Sequence, residues 1–233
     1  MLVGCSAAVM LRARWMDDQP VEITIPQRAR PPKGVLVYRD SIPEKEICWI
    51  DGLRCTTPAR TAFDIGRRVN GDMGVAFLDS LFRATGLNVG DVRSVIRDHP
   101  GARNCRHLLR LLPHVDAGAE SIQETHTRLL LCRAGLPRPE TQIEIRLNGT
   151  IIARLDMGWP DWKVGVEYDG AHHWTNPTQR TRDLTRYNKL PALGWTIIRT
   201  NATLLHSNPE DFLSSTFTAL KAHGYSPSGT KLG

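Results

Sequence analysis

The sequence predicts a mixed α/β fold of the α+β kind, in which a small β element and several helices precede a mixed sheet flanked by helices. Three observations support this prediction. Residues 1–60 are turn-rich and β-like, residues 57–115 carry apolar stripes at helical spacing, and residues from about 118 onward mix strand and helix patterns. A chain of 233 residues can hold one large domain or two small ones.

The β element contains three predicted strands. Val21–Ile25 alternates with period two and stops at Pro26, and Gly34–Tyr38 is a second apolar run. A third strand, Ile47–Ile50, turns at Asp51-Gly52.

Four helices are predicted next. Thr57 is a suitable N-cap and Pro58 suits the first helical position. The other three helices cover about Gly74–Thr85, Val89–Arg97 and Cys105–Leu112. Their apolar stripes are typical of core-facing helix surfaces.

A break near Pro113–Gly118 predicts a boundary between a first domain, 1–115, and a second, 118–225, with residues 226–233 as a flexible tail. The second domain has the predicted order α-β-β-β-α-β-α. Ser121 and Glu124 have the spacing of a capping box, and Asn148-Gly149 predicts a tight hairpin. The predicted elements are Glu120–Arg133, Thr141–Leu147, Ile151–Met157, Val164–Tyr168, a helix from Asn176 to about Leu193, Trp195–Thr200 and Pro209–His223.

Composition restricts the cellular setting. The five cysteines are scattered without a Cys-x-x-Cys pair, which favours a reducing cytoplasm over a disulfide scaffold or zinc ribbon. Leu2–Cys5 resembles a lipoprotein cleavage box, but no signal segment precedes it, and no window is long and apolar enough to span a membrane. The net charge of +6 and pI of about 9.3 are compatible with a polyanionic partner.

Two carboxylates stand out in the second domain. Asp156 ends one predicted strand and Glu167 lies on the next, so a hairpin would place them side by side. Such a pair repels unless a hard cation binds it, and Mg²⁺ or Mn²⁺ held there can activate water at a phosphodiester.

Further polar residues follow this pair in the sequence. Asp169, His172 and His173 come directly after the third strand of the domain. The predicted helix downstream is basic, which suits a phosphate backbone, through Arg180, Arg182, Arg186 and Lys189.

These residues resemble the very-short-patch-repair-related domain of unknown function in the PD-(D/E)XK restriction-endonuclease-like superfamily. The resemblance covers about residues 120–223 and is carried by Leu155–Pro160, Val166–Gly170 with a following histidine, Asp183, Arg186 and Gly194–Arg199. Upstream, Thr56–Asp64 resembles a region of actinobacterial proteins related to AbiEi-type antitoxins. Those proteins usually begin with a winged helix, and this chain starts too late to contain one, so we expect Met1–Trp15 to look truncated, with Val9, Leu11 and Trp15 partly exposed.

The nuclease resemblance implies Asp156 and Glu167 as metal ligands and Glu124 as a third acidic residue, although Glu124 has an equal claim as a capping residue. The sequence departs from the superfamily at Asp169, where a lysine is usual. The resemblance implies that His172 or His173 replaces that lysine, with Asp183 as a partner for the histidine or for Arg186.

The sequence is compatible with three functions. The first is a Mg²⁺-dependent endonuclease acting on DNA more than on RNA. The second is an inactive DNA-binding or antitoxin-type regulator on a nuclease fold, and the third is an interaction module without a nucleic-acid partner.

Overall fold

The computed structural model of the protein describes residues 1–25, 33–170 and 189–227. The chain divides into two compact units, Met1–Thr125 and His126–Gly233. The division falls between Thr125 and His126, inside the helix that follows the predicted boundary.

The first unit is built on two pairs of short strands. β1 (Val21–Thr24) runs parallel to β2 (Val35–Tyr38), and β3 (Ile47–Ile50) forms an antiparallel hairpin with β4 (Leu53–Thr56). β4 was not predicted, because four residues that include an arginine give too little alternation to identify a strand.

Residues 1–3 join the two strand pairs. The Leu2 amide donates to the Arg54 carbonyl and the Thr56 amide donates to the Leu2 carbonyl. On the other side, the Val3 amide donates to Glu22 and the Thr24 amide donates to Met1. Residues 1–3 therefore lie between β1 and β4 as a short middle strand.

The segment after this middle strand is a helix, α1 (Gly4–Met10), and the prediction of β-like structure was wrong for these residues. Small side chains explain the outcome, since Cys5, Ala7 and Ala8 are almost completely buried and allow the helix to pack closely. Val9, Leu11 and Trp15 are partly exposed, as expected.

Four helices complete the first unit, close to their predicted bounds. Pro58 begins the first of them, and Gly86 ends the second in a left-handed conformation that glycine adopts without strain. Asn88 and Asp91 form a capping box at the start of the third. The four are α2 (Pro58–Arg68), α3 (Gly71–Thr85), α4 (Val89–Asp98) and α5 (Cys105–Leu111).

The second unit contains the predicted mixed sheet. Its strand order is β5-β6-β7-β8, in which the first three strands form an antiparallel meander and β8 runs parallel to β7. Asn148 and Gly149 both adopt positive φ, as a tight hairpin between β5 and β6 requires. The strands are β5 (Glu140–Leu147), β6 (Thr150–Trp159), β7 (Val164–Tyr168) and β8 (Thr196–Thr200).

Helices and two apolar clusters accompany this sheet. α6 (Ile122–Arg133) begins at the end of the first unit, and α7 (Ala202–Ser207), which was not predicted, precedes α8 (Pro209–Ala222). One cluster joins α6 and α8 to β6 and β7 through Leu131, Met157, Val166 and Phe212. The other cluster contains Ile143, Ile145, Ala153, Leu155 and Leu190.

The predicted helix from Asn176 to Leu193 lies mostly outside the described residues. Its end is described, and there Pro191–Leu193 forms one 3₁₀ turn. In the part of the chain that the structure describes, no helix has the length and apolar character needed to cross a membrane.

Candidate functional sites

Asp156 and Glu167 lie on adjacent antiparallel strands. Met157 pairs with Val166 and Gly158 with Gly165, so Asp156 and Glu167 lie one position beyond the last of these pairs. The hairpin expected from the sequence is therefore present in the backbone, and it brings the two residues to the same end of the sheet.

The two carboxylates have different surroundings. Glu167 is 6% exposed, whereas Asp156 is half-buried and its Oδ2 accepts a hydrogen bond from the Tyr168 amide at 2.8 Å. One oxygen of Asp156 thus holds the end of β7 in place. Both groups are carboxylates, and carboxylate oxygens are ligands that Mg²⁺ and Mn²⁺ prefer.

Gly158 and Gly165 form the cross-strand pair two positions along the strands from Asp156 and Glu167. A Cβ on Gly165 would collide with the Leu155 and Ile197 side chains, and one on Gly158 would collide with the Val164 carbonyl. Both positions therefore need glycine for close packing, and Leu155 and Ile197 form an apolar wall beside the acidic row.

β8 adds a cation to the same row. Glu167 pairs with Arg199 in the parallel β7–β8 register, and Arg199 is exposed. The sequence motif included Arg199, but no role could be assigned to it without knowing which strand lies next to β7.

Asp169 lies just beyond the ladder. Its amide donates to the Thr200 carbonyl at 2.7 Å, and its side chain is half-buried. On the preceding residue, burial raises the pKa of the Tyr168 hydroxyl.

Glu124 acts as a capping residue. Its two carboxylate oxygens accept hydrogen bonds from the Glu120 amide and the Ser121 hydroxyl, each at 2.9 Å. The Glu124 amide in turn donates to the Ser121 hydroxyl at 3.1 Å. The capping role is thus confirmed, and a metal-binding role for Glu124 stays a prediction.

Several predicted site residues lie outside the described residues, namely His172, His173, Arg180, Arg182 and Arg186. Lys189 is described and exposed. Within residues 1–25, 33–170 and 189–227, no group of three or more His, Cys, Asp or Glu side chains is placed to hold a metal ion.

The first unit contains a buried ionic cluster that starts at Arg60. This side chain is 1% exposed and donates to Glu46 at 2.8 Å, to Asp64 at 3.1 Å and to Asp40 at 3.3 Å. Asp64 is completely buried and also pairs with Arg67 at 2.7 Å. His99 Nε2 lies 2.7 Å from Glu46 Oε1.

A cleft of about 430 Å³ lies over this ionic cluster. It is lined by Asp40, Ser41, Arg60, Phe63, Arg67, His99, Gly101, Ala102 and Arg103. Most of its charged lining is already engaged within the protein, since Arg67 stacks on Phe63 and pairs with Asp40 and Asp64. We therefore interpret the ionic cluster as structural.

An exposed basic surface of the first unit, which we name the α5 stripe, consists of Arg103, Arg106 and Arg110. All three arginines are exposed, and Arg106 and Arg110 lie four residues apart on one face of α5. No acidic residue occurs between Asp98 and Asp116. The arginine spacing was visible in the sequence, but the basic helix of the second domain was given the nucleic-acid role instead.

Comparison with known proteins finds a family that matches the first unit. Residues 2–114 match the family described as the AbiEi antitoxin C-terminal domain. The upstream resemblance seen in the sequence is thus confirmed, and it extends over almost the whole first unit.

Two relatives come from Mycobacterium tuberculosis: Uncharacterized protein MT2308 of strain CDC 1551 / Oshkosh and Uncharacterized protein Rv2248 of strain ATCC 25618 / H37Rv. Each is 32% identical over 171 residues, which covers 73% of this chain and 62% of the relative's length. The matched length exceeds residues 2–114, so the likeness reaches beyond the antitoxin-type segment. No solved structure matches the chain significantly.

Proposed function

We propose that this protein is an antitoxin-type regulator that binds DNA. The observation that carries the proposal is the match of residues 2–114 to the AbiEi antitoxin C-terminal domain. The overall charge of +6 agrees with a polyanionic partner.

The α5 stripe is the proposed DNA-binding surface of the first unit. Within the described part of the chain, the side chains of Arg103, Arg106 and Arg110 make no ion pair. Leu108 and Leu111 are buried and anchor α5 in the core, which holds Arg106 and Arg110 on a rigid element, and Arg103 lies two residues before it. Guanidinium groups presented in this way suit phosphate contacts, which give affinity without base specificity.

Duplex DNA binding at several salt concentrations tests this proposal. Each of the changes Arg103→Ala, Arg106→Ala and Arg110→Ala should weaken binding and reduce the slope of log K against log salt by about 1. Arg12→Ala is the matched control. Arg12 is a highly exposed arginine of the same unit, but it lies beside Asp51 of the β3–β4 turn and outside the α5 stripe. A parent protein that binds no DNA, or a loss equal to that of the control, would contradict the proposal.

A metal-dependent endonuclease is a second candidate. It is favoured by one observation, the position of Asp156 and Glu167 at the same end of the adjacent strands β6 and β7. A bound Mg²⁺ would supply Lewis-acid stabilisation of the phosphate and an activated water. Asp156 and Glu167 would hold the ion, and His172 or His173 would take the place of the usual lysine.

Incubation with supercoiled plasmid and Mg²⁺ or Mn²⁺ separates the two candidates. The endonuclease should nick the plasmid, and Asp156→Asn should abolish nicking, since an amide retains an acceptor for the Tyr168 amide but loses the charge. A His172→Ala/His173→Ala double variant should lose roughly 100-fold or more in rate, the usual scale for a positioned acid or base. DNA binding without nicking by any divalent ion favours the regulator.

A further inference from the structure

Three charged residues form a row across one end of the second sheet, one on each of three adjacent strands. The β7–β8 register aligns Glu167 with Arg199, and Asp156 lies one position beyond the β6–β7 pairs, where its Oδ2 accepts from the Tyr168 amide. Neighbouring strands are about 4.7–4.9 Å apart, so the backbones of β6 and β8 are about 10 Å apart. Two carboxylates and one guanidinium therefore lie at one end of the sheet, with Glu167 and Arg199 on the same face.

The placement of Arg199 on that face follows from its strand. Ile197 packs over Gly165 in the apolar cluster beside Leu155. Alternation along β8 puts Arg199 on the same face as Ile197, and Ile198 on the opposite face with the α8 core. Unlike Glu167, Arg199 is exposed.

Hydrogen bonds hold the ends of both parallel strands here. The Tyr168 amide donates to Asp156, and the Asp169 amide donates to the Thr200 carbonyl. Asn201, next along the chain, caps α7 by accepting from the Leu204 amide at 2.9 Å. Arg199 thus lies on a strand whose end is hydrogen-bonded, and not in a loop.

We propose that Arg199 binds a phosphate of the nucleic-acid strand that lies at the Asp156–Glu167 pair. The proposal rests on the second candidate function and deepens it by naming the cation that faces the substrate. Asp169 stands where a lysine is usual and carries the wrong charge for this role. Arg199 provides positive charge from the neighbouring strand and can hold two phosphate oxygens at once.

The role of Arg199 is electrostatic. A guanidinium stays protonated near neutral pH, so Arg199 neutralises phosphate charge and leaves proton transfer to other groups. The carboxylates of the row repel a phosphate, and a cation at the third position reduces that repulsion.

The test compares Arg199→Ala, Arg199→Lys and the control Arg146→Ala. Arg146 is an exposed arginine of the same sheet, at the far end of the β5–β6 hairpin, where it pairs with Glu144. Duplex DNA affinity is measured with Ca²⁺ in place of Mg²⁺, and Mn²⁺ affinity is measured by calorimetry without DNA. A thermal midpoint close to that of the parent verifies that each variant is folded.

We expect Arg199→Ala to weaken DNA binding roughly tenfold and to reduce the salt slope by about 1. Arg199→Lys should recover part of the affinity, and Mn²⁺ binding should be unchanged or tighter, because a nearby positive charge has been removed. Arg146→Ala should bind DNA like the parent. DNA binding by a folded Arg199→Ala variant that equals the control overturns the proposal.

The failure of the nuclease candidate gives a different result. In that case Asp156→Asn does not change Mn²⁺ binding and the parent does not nick plasmid. The comparison of DNA affinity between Arg199→Ala and Arg146→Ala still decides whether Arg199 contacts phosphate.

Discussion

Glu22 is one of the buried carboxylates of the first unit. The side chain is 6% exposed, accepts a hydrogen bond from the Cys5 amide at 3.2 Å and lies 3.7 Å from Arg68. Burial raises the pKa of Glu22 despite the opposing charge of Arg68. The same burial, with Glu22 beside it, raises the pKa of the Cys5 thiol to about 12.

A raised carboxyl pKa predicts a pH-dependent stability. Glu22 favours the folded state below its ordinary pKa of 4.5, and this contribution is lost as pH rises through the higher folded-state pKa. Glu22→Gln should therefore be more stable than the parent at pH 7.5, with a difference that shrinks toward pH 4. Urea midpoints at several pH values measure this. A variant that is less stable than the parent at pH 7.5 would show that the Arg68 pair outweighs burial.

Individual site residues were predictable from the sequence only where the chain itself connects them. The closeness of Asp156 to the end of β7 could be predicted because a short turn joins β6 and β7, and the Ser121–Glu124 spacing predicted the capping contact. Arg199 could not be placed, since more than 25 residues separate β7 from β8 and parallel pairing leaves no local signal. Ligand roles for Asp156 and Glu167 stay predictions.

Gly165 shows how one strand position controls the packing around the acidic row. It lies two residues before Glu167, and its missing side chain leaves space for the Leu155 and Ile197 methyl groups. β6, β7 and β8 are therefore packed together by apolar side chains that cover a glycine.

Gly165→Ala should destabilise the protein by about 1–3 kcal/mol, because the added methyl group overpacks this contact. Leu155→Val removes the colliding Cδ1 atom, so the double variant should be less destabilised than the sum of the two single changes. Chemical denaturation of the four proteins completes the cycle. Strict additivity would show that the neighbouring backbone, and not Leu155, absorbs the added methyl group.

At the scale of elements, length decided which predictions succeeded. The longer helices α3 and α8 and the strands β5–β7 have enough residues to show a clear period, and their predicted bounds are close to the observed ones. The elements that were missed, α1, β4 and α7, contain only four to seven residues. In such short segments, tertiary contacts decide the conformation.

For the molecule as a whole, the ionic cluster of the first unit connects distant parts of the chain. Arg60 on α2 joins Asp40, which follows β2, to Glu46, which precedes β3, and Glu46 contacts His99 at the end of α4. Buried ion pairs contribute little net stability compared with apolar packing, but removing one partner leaves an uncompensated charge.

Arg60→Ala should therefore cost about 3–5 kcal/mol of unfolding free energy, since it leaves Asp64 and Glu46 buried with fewer partners. The matched control is Arg54→Ala, which removes an arginine from a largely exposed pair with Glu44 and should cost less than about 1 kcal/mol. Guanidinium chloride unfolding of both variants measures the difference. Equal losses of unfolding free energy would mean that the buried ionic cluster contributes no more to stability than an exposed ion pair does.

The position of residues 1–3 between β1 and β4 has a consequence for biosynthesis. Leu2 makes backbone hydrogen bonds to Arg54 and Thr56, more than 50 positions away, so this pairing cannot form until residues 54–56 have been synthesised. Closing so long a loop costs entropy before any contact is gained, which makes this a late folding step. Until the ribosome has released the β3–β4 hairpin, residues 1–3 present an open strand edge, and such an edge is a place where a chaperone would bind.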